Sequence, residues 1–128
     1  MERLHVATLN LRNLADRWDE RLPLLLADMQ GGASILFAVT HLDHLVPDDA
    51  VRDEQAAATG AEPAVTWPSG LQGPGMDTDG QPGCLEYIWL RGAARATEAR
   101  LVFDRPAVGD PTLYPSDHAG IAALLEIG

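Results

Sequence analysis

Residues 4–11, Leu-His-Val-Ala-Thr-Leu-Asn-Leu, alternate in a way that puts Val6, Thr8 and Asn10 on one face and Ala7, Leu9 and Leu11 on the other. That period of two predicts a strand. Asn10 is polar at the end of this run, and taken locally it opens the loop Arg12 to Asp16 as a turn-former. Over residues 19–29 the period lengthens to that of a helix, with Leu22, Leu25, Leu26 and Met29 on one face. Pro23 is tolerated only in a first turn, so the helix is expected to begin near Asp19 or Glu20 and to end at Gln30-Gly31-Gly32. Residues 34–42 form a nearly continuous apolar run, the pattern of a strand buried on both faces. The run closes in Thr40-His41-Leu42-Asp43-His44, where alternation puts His41 and Asp43 on the same side. Pro47-Asp48-Asp49 opens a second predicted helix, with Asp48 as N-cap and Gly60 after its end. Arg52 and Gln55 share a face of that helix, and a solvated surface accounts for them on local grounds.

Residues 60–83 are rich in Gly and Pro and read as one long loop, anchored by Trp67. Asp77-Thr78-Asp79-Gly80 starts like a calcium loop, but Pro82 stands where the sharp-turn Gly is needed and no Glu follows at the twelfth position. Residues 84–90 predict a strand by β-propensity, with Glu86, Ile88 and Leu90 on one face. Gly92 makes a turn, and Ala96 to Phe103 predicts another strand. Propensity alone leaves Ile121 to Ile127 open between helix and strand. The pattern as a whole predicts an α/β fold.

Composition narrows the picture further. The 128 residues suffice for one domain with a modest core. A formal charge of -10 argues against nucleic acid, whose binding rests on neutralising phosphates, and leaves room for a small anionic substrate in a locally basic cleft. Cys84 is the one cysteine, which excludes an internal disulfide and fits a reducing compartment. No signal-peptide pattern opens the sequence, and no apolar run, Ile35 to Val39 included, has the length of a membrane span. The expected location is cytoplasmic.

The chemistry gathers at element edges. Tyr114-Pro115-Ser116-Asp117-His118 sets an acid beside an imidazole, just after a turn and just before an apolar segment, and Asn10, His41 and Glu86 occupy similar positions. With Ala7-Thr8-Leu9-Asn10-Leu11, Arg17-Trp18 and Arg21, Thr40-His41-Leu42, Arg52 with Gln55, Glu86-Tyr87-Ile88 and Ser116-Asp117-His118, the chain resembles the endonuclease/exonuclease/phosphatase superfamily, the deoxyribonuclease-like metal-dependent phosphoesterases. The pieces occur in the family's order along nearly the whole chain. The resemblance implies a single domain over residues 1–128, a shortened form of the family's α/β sandwich of β-sheets flanked by helices, and a strand at 121–127.

Two signatures of the family are missing. A strand ending in Gln-Glu, whose Glu holds the catalytic metal, is absent near residues 30–33. A strand ending in Gly-Asp-Phe-Asn is absent near residues 58–64. Glu86 stands where the family has Asp. The resemblance implies catalytic roles for His41, Glu86, Asp117 and His118, with Glu86 within hydrogen-bond reach of His118 and orienting it. It also implies substrate contacts from Asn10 and Arg52, and Mg²⁺ or Mn²⁺ held weakly by Asp117 and Asn10. The implied function is phosphodiester or phosphomonoester hydrolysis, with activity reduced or lost. The implied partner is a small phosphoester rather than nucleic acid or a membrane. Removal of strands from the fold leaves apolar edges that favour a homo-oligomer. A non-catalytic binding or structural remnant is the alternative. A zinc-dependent hydrolase of metallo-β-lactamase type is a third, since His41-Leu42-Asp43-His44 resembles part of that motif, with Val39 in place of its first His.

Overall fold

The computed structural model describes residues 2–12, 16–31, 36–39, 65–74, 76, 80–88, 90 and 92–128, with backbone alone at 31 and 36–39. It is a mixed α/β fold. Its elements are β1 (Glu2–Leu9), α1 (Trp18–Gly31), β2 (Leu36–Val39), β3 (Ala94–Val102) and β4 (Gly120–Ile127). The strands form one sheet in the order β2-β1-β4-β3. β1 and β2 run parallel, with Val6 opposite Leu36 and Leu9 opposite Val39. β4 lies antiparallel to β1, from Glu2 opposite Ile127 to Thr8 opposite Ile121. β3 pairs antiparallel with the other side of β4, with a shift of register between Ala96 and Glu98.

Alternation sorts the sheet into two faces. On one, Val6, Ala123 and Leu125 form a cluster backed by Leu4, Ala99 and Ile88. On the other, Leu9 packs with Leu25 of α1 and with Phe103, joined by Leu11, Met29 and Val102. β4 is buried over most of its length because strands cover both of its edges and apolar groups cover both faces. This explains why its residues show no clean alternation, and it resolves 121–127 as strand. At the end of the sheet near Ile127, Glu126 is paired with Arg3 at 3.5 Å and with Arg95 at 2.7 Å, each directly opposite it in the neighbouring strand.

Several expectations need correction. β1 begins and ends two residues earlier than predicted, so Asn10 lies just past the strand. α1 begins at Trp18, which puts Pro23 inside the helix rather than in its first turn. The Arg17 carbonyl accepts from the backbone N–H groups of Glu20 at 3.0 Å and Arg21 at 2.9 Å, and so starts the helix. Leu26 is 45% exposed, and the inward line is Arg21, Leu25 and Met29, at intervals of four. Of the predicted strand at 34–42, residues 36–39 form β2 and the rest lie outside the described residues, as does the predicted helix from Asp48.

The largest correction concerns the predicted strand at 84–90. Cys84 to Ile88 and Leu90 carry no strand. The N–H groups that would build a ladder are taken by a side chain instead. The Thr66 hydroxyl accepts from Leu85 N at 2.7 Å and from Glu86 N at 3.3 Å. Glu86 and Ile88 still face inward as alternation required, whereas Leu90 is exposed.

Candidate active site

Because β4 runs antiparallel to β1, the segment leading into β4 meets the segment leaving β1. Residues 10–12 and 116–118 form a seam there. The Ser116 hydroxyl, fully buried, donates to the Asn10 carbonyl at 2.5 Å, and His118 N donates to the Ser116 oxygen at 3.3 Å. Across the seam Asn10 Nδ2 lies 3.4 Å from His118 Nε2, and Arg12 Nη1 lies 3.4 Å from Asp117 Oδ2. Four polar groups from two distant stretches thus share one rim.

The imidazole is fixed from its other side. His118 Nδ1 is in close contact with Glu86 Oε1, and both residues are buried. A carboxylate can only accept, so this contact puts the proton on Nδ1 and leaves the Nε2 lone pair facing Asn10. Thr66 sets this geometry. It is fully buried, its hydroxyl holds the backbone at Leu85 and Glu86, and its carbonyl accepts from Ala119 N at 2.6 Å. One residue therefore ties down both members of the Glu86–His118 pair. Trp67 follows it, with its ring tilted 49° to the imidazole at 6.4 Å between centroids. Ser69 then donates from its N–H to Asp117 O at 2.7 Å and from its hydroxyl to Ser116 O at 2.5 Å. The loop 66–72 approaches this closely because Gly70 carries no side chain. A Cβ there would lie 2.4 Å from the Tyr114 ring.

Three arginines frame the rim, each in a different state. Arg21 is 0% exposed. Its Nε donates to Asp16 O at 2.6 Å, its Nη1 donates to Pro115 O at 3.1 Å, and its guanidinium lies 5.3 Å over the Trp18 ring. Burial pushes its pKa down from the ordinary value. Arg17 binds Glu20 at 2.9 and 3.0 Å, Asp110 at 2.5 Å and Thr112 at 3.0 and 3.3 Å. Asp110 is held down at about 2, first by the Thr112 hydroxyl and then by Arg17. Arg12 contacts Asp16 through Nε and Asp117 through Nη1, and the bond to Asp16 pushes its pKa up. Asp16 and Arg17 adopt φ of 37° and 57°, left-handed values that cost non-glycine residues energy. This turn brings the Asp16 carboxylate back onto Arg12 while its carbonyl goes to Arg21.

Of the residues predicted for the site, Asn10, Glu86, Asp117 and His118 are brought together. His41 and Arg52 lie outside the described residues, as do Asp43 and His44 of the zinc reading. Local sequence reading missed the parts played by Thr66, Arg12 and Asp16. The one available signal was the opposite charge of Arg12 and Asp16, four apart, directly after Asn10.

The oxygen donors that the resemblance assigns to a divalent cation are Asp117 and the Asn10 amide. Among the described residues no group of three or more His, Cys, Asp or Glu side chains could hold a metal ion. Asp117 Oδ2 already faces a guanidinium, and its Oδ1 lies 3.3 Å from the Ser116 hydroxyl. A divalent cation there would take one carboxylate and one amide from these residues, and most of its ligands would be water or substrate oxygen. No family model, curated protein or solved structure matches this chain. Among the described residues no helix is long and apolar enough to cross a membrane.

Proposed function

We propose that the chain is a shortened deoxyribonuclease-like sandwich that hydrolyses small phosphoesters with low activity. The observation that supports this most is the Glu86–His118–Asn10 line beside Asp117, four groups the resemblance assigns to one reaction centre. Glu86 holds the Nδ1 proton, so Nε2 is the atom that accepts a proton from a water, and once it carries that proton it can donate to a phosphate oxygen. Asn10 offers amide N–H groups beside that atom and orients what approaches it. Asp117 positions water. A divalent cation on Asp117 and Asn10 would supply positive charge to the phosphate oxygens. His41 and Arg52 are proposed as further phosphate and substrate contacts. The net charge of -10 favours a small phosphoester over nucleic acid.

A second reading, a non-catalytic binding domain, draws on the pairing of Asp117 with Arg12, which partly neutralises the carboxylate that would hold the metal. A chromogenic phosphodiester assayed across a Mg²⁺ and Mn²⁺ titration separates the two. The hydrolase reading expects slow turnover at millimolar-order metal, since so few anionic ligands hold it. It also expects losses of about 100-fold or more in His118→Ala and Asp117→Ala. Absence of turnover at every metal concentration leaves the binding domain. Stoichiometric zinc in the purified protein would favour the third reading. Among the described residues β2 and β3 are the outer strands, and self-association through the edge of β2 is part of the proposal, to be read by light scattering.

A further inference from the structure

We infer that Arg12 is an anion-receiving group that lets the rim bind phosphate without any metal. This rests on the phosphoester reading and adds to it a residue and a mode of binding. The three rim arginines differ in what they have left to offer. Arg21 is fully buried and spent on backbone carbonyls and the Trp18 ring. Arg17 spends both Nη groups and Nε on Glu20, Asp110 and Thr112. Arg12 uses Nε on Asp16 and Nη1 on Asp117, and its side chain remains 32% exposed. Among the described residues its Nη2 makes no hydrogen bond, so on this partly exposed side chain those donors remain available.

The group is also held in place. A free surface arginine gives up considerable side-chain freedom on binding an anion. Here the left-handed turn at Asp16 and Arg17 seats a carboxylate against Nε, four residues along, so much of that freedom is already lost. The bond to Asp117 at 3.4 Å is long, which makes Nη1 the donor an incoming phosphate can share. A guanidinium meets phosphate with paired N–H donors and keeps its charge at any working pH. Asn10 precedes Arg12 by two residues, and its amide lies beside His118 Nε2, so the seam presents neutral donors next to the charged one. In a site with few anionic ligands for a metal, a resident cation of this kind supplies charge that the metal otherwise would.

The experiment is a titration of the metal-stripped protein with inorganic phosphate in EDTA, followed by the Arg12 Nε–H resonance in ¹⁵N NMR and by calorimetry. The expected result is saturable binding, with the resonance moving at the calorimetric midpoint. Affinity should fall about tenfold in Arg12→Gln, as for loss of a charge-assisted hydrogen bond, and by less in Arg12→Lys. If Arg12→Gln fails to fold, the wild-type resonance and Arg12→Lys still decide the matter. No phosphate binding in EDTA, or binding that leaves the Arg12 resonance and the Arg12→Lys affinity unchanged, overturns the inference. Phosphate binding through Arg12 with no hydrolysis in any metal upholds it while removing the hydrolase. Hydrolysis with metal but no metal-free binding does the reverse.

Discussion

Each end of the sheet carries a carboxylate beside arginines, and the two arrangements behave differently. Near Ile127, Glu126 lies between Arg3 and Arg95, whose side chains are 69% and 74% exposed. The register of β1, β4 and β3 lines these charges up. At the opposite end, Arg12, Arg17 and Arg21 reach across 93 to 105 positions of sequence to Asp110, Thr112, Pro115 and Asp117. There the guanidinium groups replace secondary structure as the means of joining loops. Water screens the first arrangement and supplies alternative partners; the second has only protein around much of it. The same chemistry is decoration at one end and scaffold at the other.

The sharpest way to break this contrast is Arg21→Met. It leaves the Asp16 and Pro115 carbonyls without their buried charged donor, and stability should fall by about 3 kcal/mol, the order expected for losing hydrogen bonds to a charged group. Urea unfolding measures it; a loss below about 1 kcal/mol would mean that the rim holds without its central arginine. Thr66→Val keeps the shape and removes the acceptor for two N–H groups. The expected cost is about 1–2 kcal/mol, together with loss of the single ordered His118 tautomer in ¹⁵N NMR. An unchanged tautomer would detach Thr66 from the site.

Asp110 sharpens the comparison through pH. Its folded pKa lies at about 2, below the ordinary 3.8, so its contribution is fully present above the higher value and is lost as pH falls through the lower one. The stability difference between wild type and Asp110→Asn should therefore be constant above about pH 4 and fade towards about pH 2. A difference that persists unchanged at the acid end would contradict the pairing. The smallest effect belongs to the other end of the sheet. Glu126→Gln breaks both exposed pairs at once and should cost less than about 1 kcal/mol, with no effect on phosphate binding.

Period-two and helical patterning carried β1, α1 and β3 to within a few residues, because local spacing reports the period of an element directly. β4 escaped periodicity since it is covered on both faces. The strand predicted at 84–90 was mistaken for a reason no local reading contains: Thr66, nearly twenty residues earlier, takes the N–H groups that a neighbouring strand would have taken. The site followed the same rule. Asn10, Glu86, Asp117 and His118 were legible through the resemblance, which supplies long-range pairing in the form of an ordered motif list. Arg12 and Thr66 were not, since their roles arise from contacts that only folding creates. Leu26 was placed on the inward face from helical spacing, but the line through Arg21, Leu25 and Met29 turns it outward.

The place of β4 in the sheet also bears on how the chain reaches this structure. β1 is made well before β4, yet its long partner is that strand at 120–127, and its other partner among the described residues is the four-residue β2. β3 likewise has β4 as its neighbour in the sheet. Most of the sheet is thus assembled in one late event that closes a loop of more than a hundred residues, the kind of topology that folds slowly. Ser116, Asp117 and His118 arrive with that same strand, so the rim and the centre of the sheet come into being together.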